Sequence, residues 1–195
     1  MRRAAGQPNP GRPGEPGEPG VDELVTVATP EQMRTLGRRL SRVLRAGDLV
    51  VLSGPLGAGK TTLTQGIGAG LGVRGSVTSP TFVIARVHPS LSSGPDLVHA
   101  DAYRLGSRAE VDDLDLDNDL ATAVTVVEWG EGLVEDLAPS FLSVGIRAEQ
   151  AAITEAAVGK EEADVRRSVR VQGWGDSWHG TAVAEEIRLA LADMG

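Results

Sequence analysis

Cysteine is missing from all 195 residues, which excludes disulfide scaffolds, thiolate metal sites and cysteine nucleophiles together. Lysine is almost missing: only Lys60 and Lys160 stand among the 19 basic residues, the rest being arginine. Aromatic side chains make up 3% of the chain. The histidines His88, His99 and His179 show no metal-ligand spacing, which argues against a His-based zinc site. No apolar run approaches the ~20 residues of a membrane span, and the N-terminus lacks the apolar core of a secretion signal, so a cytoplasmic protein away from membranes is expected. Positive charge is short as well. The net charge is −8, the wrong sign for a protein that grips nucleic acid unaided.

What is present divides into a tail and a globular body. Residues 1–20 hold five Pro and five Gly, and the Gly-Arg-Pro, Gly-Glu-Pro, Gly-Glu-Pro run is too short for a collagen helix, so a disordered tail is expected. Residues 21–195 form the expected single domain, a length that supports one core. Leu24–Ala28 alternates like a strand. Thr29-Pro30-Glu31 supplies an N-cap, a first-position proline and an early acid, opening a helix expected to run to about Ala46. Leu49–Leu52 is a continuous apolar strand of the doubly buried kind. Lys60–Leu71 is an expected helix closed by Gly72. Strands are expected at Thr81–Val87, Leu97–Asp101 and Ala123–Glu128, a hairpin pair at Phe141–Arg147 and Ser168–Trp174, and an amphipathic helix at Thr181–Met194. Residues 110–119 carry six carboxylates among leucines, the pattern of a short docked helix or turn with a solvated face.

The strongest signal is Gly54-Pro55-Leu56-Gly57-Ala58-Gly59-Lys60-Thr61, which fits G-x-x-x-x-G-K-[ST] with an apolar strand before it and a helix after it. Glycines at this spacing let backbone N–H groups turn inward around phosphate oxygens, and the helix N-terminus adds positive potential. Lys60 would reach the β- and γ-phosphates, and the Thr61 hydroxyl would supply one oxygen to Mg²⁺. Together the elements predict an α/β fold: a three-layer P-loop NTPase with a central, mostly parallel or mixed sheet. Guanine recognition through N/T-K-x-D would need a second suitable lysine, and Gly159-Lys160-Glu161-Glu162 does not match, so ATP is expected. Leu91-Ser92-Ser93-Gly94 is only a fragment of a transporter-type signature.

Two apolar strands end in acids, Leu97–Asp101 and Ala123–Glu128, and each puts a carboxylate where open α/β sheets bind ligands. One acid could hold Mg²⁺ while the other orients or deprotonates the attacking water; helix capping or salt bridging is the plainer use of either. Ser79-Pro80-Thr81 could turn a hydroxyl toward the γ-phosphate or be a simple turn. Arg104 could neutralise phosphate charge or face solvent. Trp129 could be core, stacking surface or partner contact.

The phosphate loop, Ser79-Pro80-Thr81, His99-Ala100-Asp101-Ala102-Tyr103-Arg104-Leu105 and Val127-Glu128-Trp129, in this order, resemble the TsaE (YjeE) family of bacterial ATPases over roughly residues 24–174. The resemblance implies an ATPase required for threonylcarbamoylation of the tRNA adenosine just after the anticodon, working with TsaB and TsaD while those partners handle the tRNA. It further implies that Gly57, Ala58, Gly59, Lys60, Thr61 and Thr62 bind phosphates. Thr61 and Glu128 would hold Mg²⁺, Asp101 and Lys60 would be catalytic, and Trp129 would form a wall of the site. The family flanks adenine by the segment before the first helix and a late strand, which implies Thr29 or Glu31 on one side and Arg166 on the other. The tail and the long Glu149–Asp164 connector depart from the family pattern. Two other functions fit the loop alone: a small-molecule or nucleoside kinase, and a nucleotide-dependent assembly module.

Overall fold

A computed structural model describes residues 18–80, 85–105, 107–112, 120–149 and 166–192. Seven strands make one mixed sheet: β1 (Val21–Val27), β2 (Leu49–Ser53), β3 (Ala85–His88), β4 (Asp96–Asp101), β5 (Ala123–Glu128), β6 (Phe141–Ala148) and β7 (Arg167–Trp174), in the order β1-β7-β6-β2-β5-β4-β3. The centre β6-β2-β5-β4 is parallel. Antiparallel pairings attach β7 and then β1 on one side and β3 on the other. This is the α/β architecture expected from the sequence, with a mixed sheet.

Helices α1 (Pro30–Leu40), α2 (Lys60–Leu71) and α4 (Thr181–Leu191) are associated with one core layer, in which Leu36, Leu40, Leu63, Ile67 and Ile187 pack with Val50, Leu52, Val124 and Val126 of the sheet. The other core layer holds Leu49, Val51, Val98 and Val127 with Val111 of the short helix α3 (Arg108–Asp112) and Val134. Because β2 and β5 are covered on both faces, their side chains are almost entirely buried, as continuous apolar strands require.

Local chemistry sets the element ends. Thr29 caps α1 by accepting from the Gln32 amide at 3.1 Å, and the Gln32 side chain accepts from the Thr29 amide at 3.3 Å, a reciprocal capping box. The helix ends at Leu40, earlier than the expected Ala46. Ser41 turns its hydroxyl onto the Arg38 carbonyl at 2.8 Å, and the next amides bond three residues back. Leu44 nevertheless stays buried, so the apolar period outlasts the helix. Strand β1 begins at Val21, and its buried face carries Val21, Val25 and Val27, leaving Leu24 exposed. Gly20, placed in the tail by composition, is already engaged, its amide donating to the Gly173 carbonyl at 2.9 Å. Of the expected strand 81–87, residues 81–84 lie outside the described residues, as do 1–17 of the tail, 113–119 of the acidic stretch, most of the connector, and Met194.

Candidate active site

Three parallel strands bring their C-terminal ends to one edge. Leu52 of β2 is in register with Glu128 of β5, and Glu128 with Asp101 of β4. The chain leaves β2 through Ser53 into the phosphate loop and re-enters helix at Lys60. Gly54 has φ of 136° and lies so close to the Ile146 carbonyl of β6 that no side chain fits there. Gly59 caps α2 with φ of 109°, a conformation that glycine alone adopts cheaply. The glycines thus have backbone reasons to stand where the loop motif puts them.

A cavity of about 590 Å³ opens over this edge. Its floor is residues 57–62 of the loop and α2; its walls include Ser79, Asp101, Tyr103, Arg104, Glu128 and Trp129. Gly57, Ala58, Gly59, Lys60, Thr61, Thr62, Asp101 and Glu128 are therefore brought together, as the sequence places them. Thr81 lies outside the described residues.

Glu128 is buried, and both of its oxygens accept from the Thr61 hydroxyl, at 2.9 and 3.1 Å. Asp101 accepts from the Ser79 hydroxyl at 3.2 Å and from the Tyr103 amide at 3.0 Å. Lys60 donates to the Gly54 and Pro55 carbonyls at 2.7 and 3.0 Å, and its ammonium stands 3.6 Å from the Trp129 ring centroid. Burial pushes the Lys60 pKa down, opposed by the carboxylates of Glu128 and Asp101. Trp129 carries φ of 62°, a left-handed conformation uncommon for a bulky residue. Its ring meets Tyr103 at 5.1 Å between centroids.

The donor set fits a hard cation with few protein ligands. Among the described residues no group of three or more His, Asp or Glu is arranged to hold a metal. One buried carboxylate beside one hydroxyl is instead the partial set that Mg²⁺ accepts when water and phosphate complete its coordination.

Thr29, Glu31 and Arg166 do not line the cavity. The Thr29 hydroxyl is used by the helix cap, and exposed Glu31 pairs with Arg38 and Arg34. These arginines lower the Glu31 pKa, Arg38 first. Strand register still sets this region at the same sheet edge as the loop, since Arg167 is opposite both Val27 and Ala148. Ser79, whose hydroxyl the sequence offers to the γ-phosphate or to a simple turn, donates to Asp101, and His99, to which the sequence gives no role, bonds Glu128 from behind at 2.8 Å. The signal for His99 was its place two residues before Asp101 on a strand, which fixes a common face.

The profile of the family described as "Threonylcarbamoyl adenosine biosynthesis protein TsaE" matches residues 27–157. The chain belongs to the TsaE family. A relative from Streptomyces coelicolor, the tRNA threonylcarbamoyladenosine biosynthesis protein TsaE, is 62% identical over 147 residues, covering 75% of this chain and 93% of its own. The TsaE protein of Mycobacterium tuberculosis strain H37Rv is 53% identical over 126 residues, covering 61% of this chain and 75% of its own. The crystal structure of Bacillus subtilis YdiB shares the fold with a TM-score of 0.63 at 24% identity, covering 86% of this chain and 95% of that one. A TsaE-family protein belongs to tRNA threonylcarbamoyladenosine biosynthesis, and among the described residues no helix is long and apolar enough to cross a membrane.

Proposed function

We propose that this chain is a Mg²⁺-dependent ATP hydrolase. In this reading it supports threonylcarbamoylation of the adenosine next to the anticodon in tRNA, in a complex with TsaB and TsaD homologues. The observation that carries the reading is the pair of strand-end acids, Asp101 and Glu128, in register beside a phosphate loop. Residues 57–62 bind the phosphates, with Lys60 leaving its loop carbonyls to meet their charge. Thr61 and Glu128 hold Mg²⁺, which when bound neutralises phosphate charge. Asp101, steadied by Ser79 and the Tyr103 amide, orients the attacking water and accepts its proton. Trp129 and Tyr103 form the wall that limits water at the reacting end. The adenine lies along the sheet edge between the Thr29–Glu31 segment and Arg166. The negative net charge suits a subunit whose partners hold the tRNA.

The deciding experiment measures phosphate release from saturating ATP by the purified chain, alone and with the TsaB–TsaD pair. The expected result is slow release alone and faster release with the pair. Transfer of the γ-phosphate to a small acceptor, without free phosphate, would replace this reading with a kinase.

A further inference from the structure

His99 has no part in the chemistry proposed above, yet it is fully buried and touches the buried acid at the centre of the site. It lies on β4 and Glu128 on β5. Their register pairs His99 with Val126 and Asp101 with Glu128, so His99 and Glu128 are diagonal neighbours on adjacent strands, within reach of long side chains. The contact is 2.8 Å from Nε2 to the Glu128 Oε1 atom. The other ring nitrogen, Nδ1, is buried without a hydrogen-bond partner among the described residues. An ionised carboxylate only accepts, so the bonded nitrogen must carry the proton. The unpartnered Nδ1 is then a bare acceptor, the form that costs least in an apolar pocket, whereas an Nδ1–H there would be an orphaned donor.

From this geometry we infer that His99 is a positioning residue. As the neutral Nε2–H tautomer it fixes the orientation of the Glu128 carboxylate toward Thr61 and so sets the affinity of the site for Mg²⁺. The inference rests on the proposed Mg²⁺-dependent function. Among the described residues Glu128 has three polar neighbours of different kinds: Thr61 in front, His99 behind, and the Lys60 charge beside it. Thr61 is itself assigned to the metal, and Lys60 is engaged with the loop and Trp129. Among the described residues His99 alone bonds Glu128 from within the sheet, and unlike Asp101 on the same strand it does not line the cavity. Partners of metal-bound carboxylates typically change metal affinity by about 10–100-fold when removed.

The test uses the full chain with ADP and Mg²⁺ as probes. His99→Ala should raise the Mg²⁺ concentration needed for half-maximal ADP binding by about 10–100-fold while leaving ADP binding in EDTA unchanged. His99→Gln, which keeps a side-chain N–H, should recover most of the wild-type Mg²⁺ demand. Nitrogen-15 NMR of the histidine-labelled wild-type chain should show Nε2 protonated and Nδ1 bare, a readout that needs no variant to fold. A wild-type Mg²⁺ demand in His99→Ala overturns the inference. So does an equal loss of ADP binding with and without Mg²⁺ in both variants, or an Nδ1–H tautomer. A wild-type chain whose ADP binding ignores Mg²⁺ overturns the proposed function as well, whereas a Mg²⁺-dependent wild type with an indifferent His99→Ala fails the inference alone.

Discussion

The ammonium of Lys60 is held by two loop carbonyls and the face of Trp129, so a nucleotide must offer it more than these contacts. Phosphate oxygens do, because they carry full charge where the carbonyls carry a dipole. Lys60→Ala is therefore expected to lower phosphate release by roughly 100-fold or more, with the melting temperature little changed, checked by turnover and thermal denaturation together. In the proposed function the two acids separate by the state in which they act. Glu128→Ala should weaken Mg²⁺-dependent nucleotide binding, because a metal ligand works in the ground state. Asp101→Ala should leave binding close to wild type and slow turnover, because a water-orienting acid counts chiefly in the transition state. Nucleotide titrations paired with single-turnover rates distinguish the two, and the reverse pattern would exchange the roles.

Elements carry the site because two helices approach closely. At Gly66 of α2 an added methyl group would overlap the Arg34 carbonyl of α1, and at Gly37 of α1 it would overlap the Leu63 carbonyl of α2. Gly66→Ala should thus destabilise the fold by about 1–3 kcal/mol despite the better helix propensity of alanine. A melting temperature several degrees lower is expected, and an unchanged one would contradict the close approach. Helix α2 and strand β5 were legible in the sequence to the residue, because Gly59 and Gly72 both take left-handed conformations that punctuate the helix and because β5 is buried on both faces. The phosphate loop and both acids were legible for the same reason: local chemistry states them outright. The end of α1 and the phase of β1 were not, since Ser41 diverts a backbone bond and Leu24 sits on the solvent side of an otherwise valine-lined strand. Sheet order was hidden too. Nothing local announces that β1 pairs with β7, nearly the whole chain away. The face of His99 was legible from its spacing to Asp101, but its partner Glu128, on another strand, was not.

Across the whole molecule, protons act on what the strands have fixed. His88 of β3 is buried, and burial pushes its pKa below the usual value, with smaller opposing and reinforcing contributions from the Arg74 backbone, His99 and Arg86. The unfolded chain then binds protons more readily than the folded one below about pH 6.5. The contribution of His88 is complete above that pH and is lost as the pH falls toward its lowered folded value. The melting temperature should drop between pH 7.5 and 5.5, and His88→Gln should flatten that drop; an equal slope in both proteins would remove His88 as its source. The alignment of Asp101 with Glu128 has one further consequence, for the kinds of length change that descent can tolerate. Their separation along the chain is free to vary, because the two strands meet by pairing rather than by counting. Losing one residue inside β4 is different: every later side chain of that strand turns to the opposite face. Natural insertions and deletions in relatives should therefore collect between the paired strands and stay out of them.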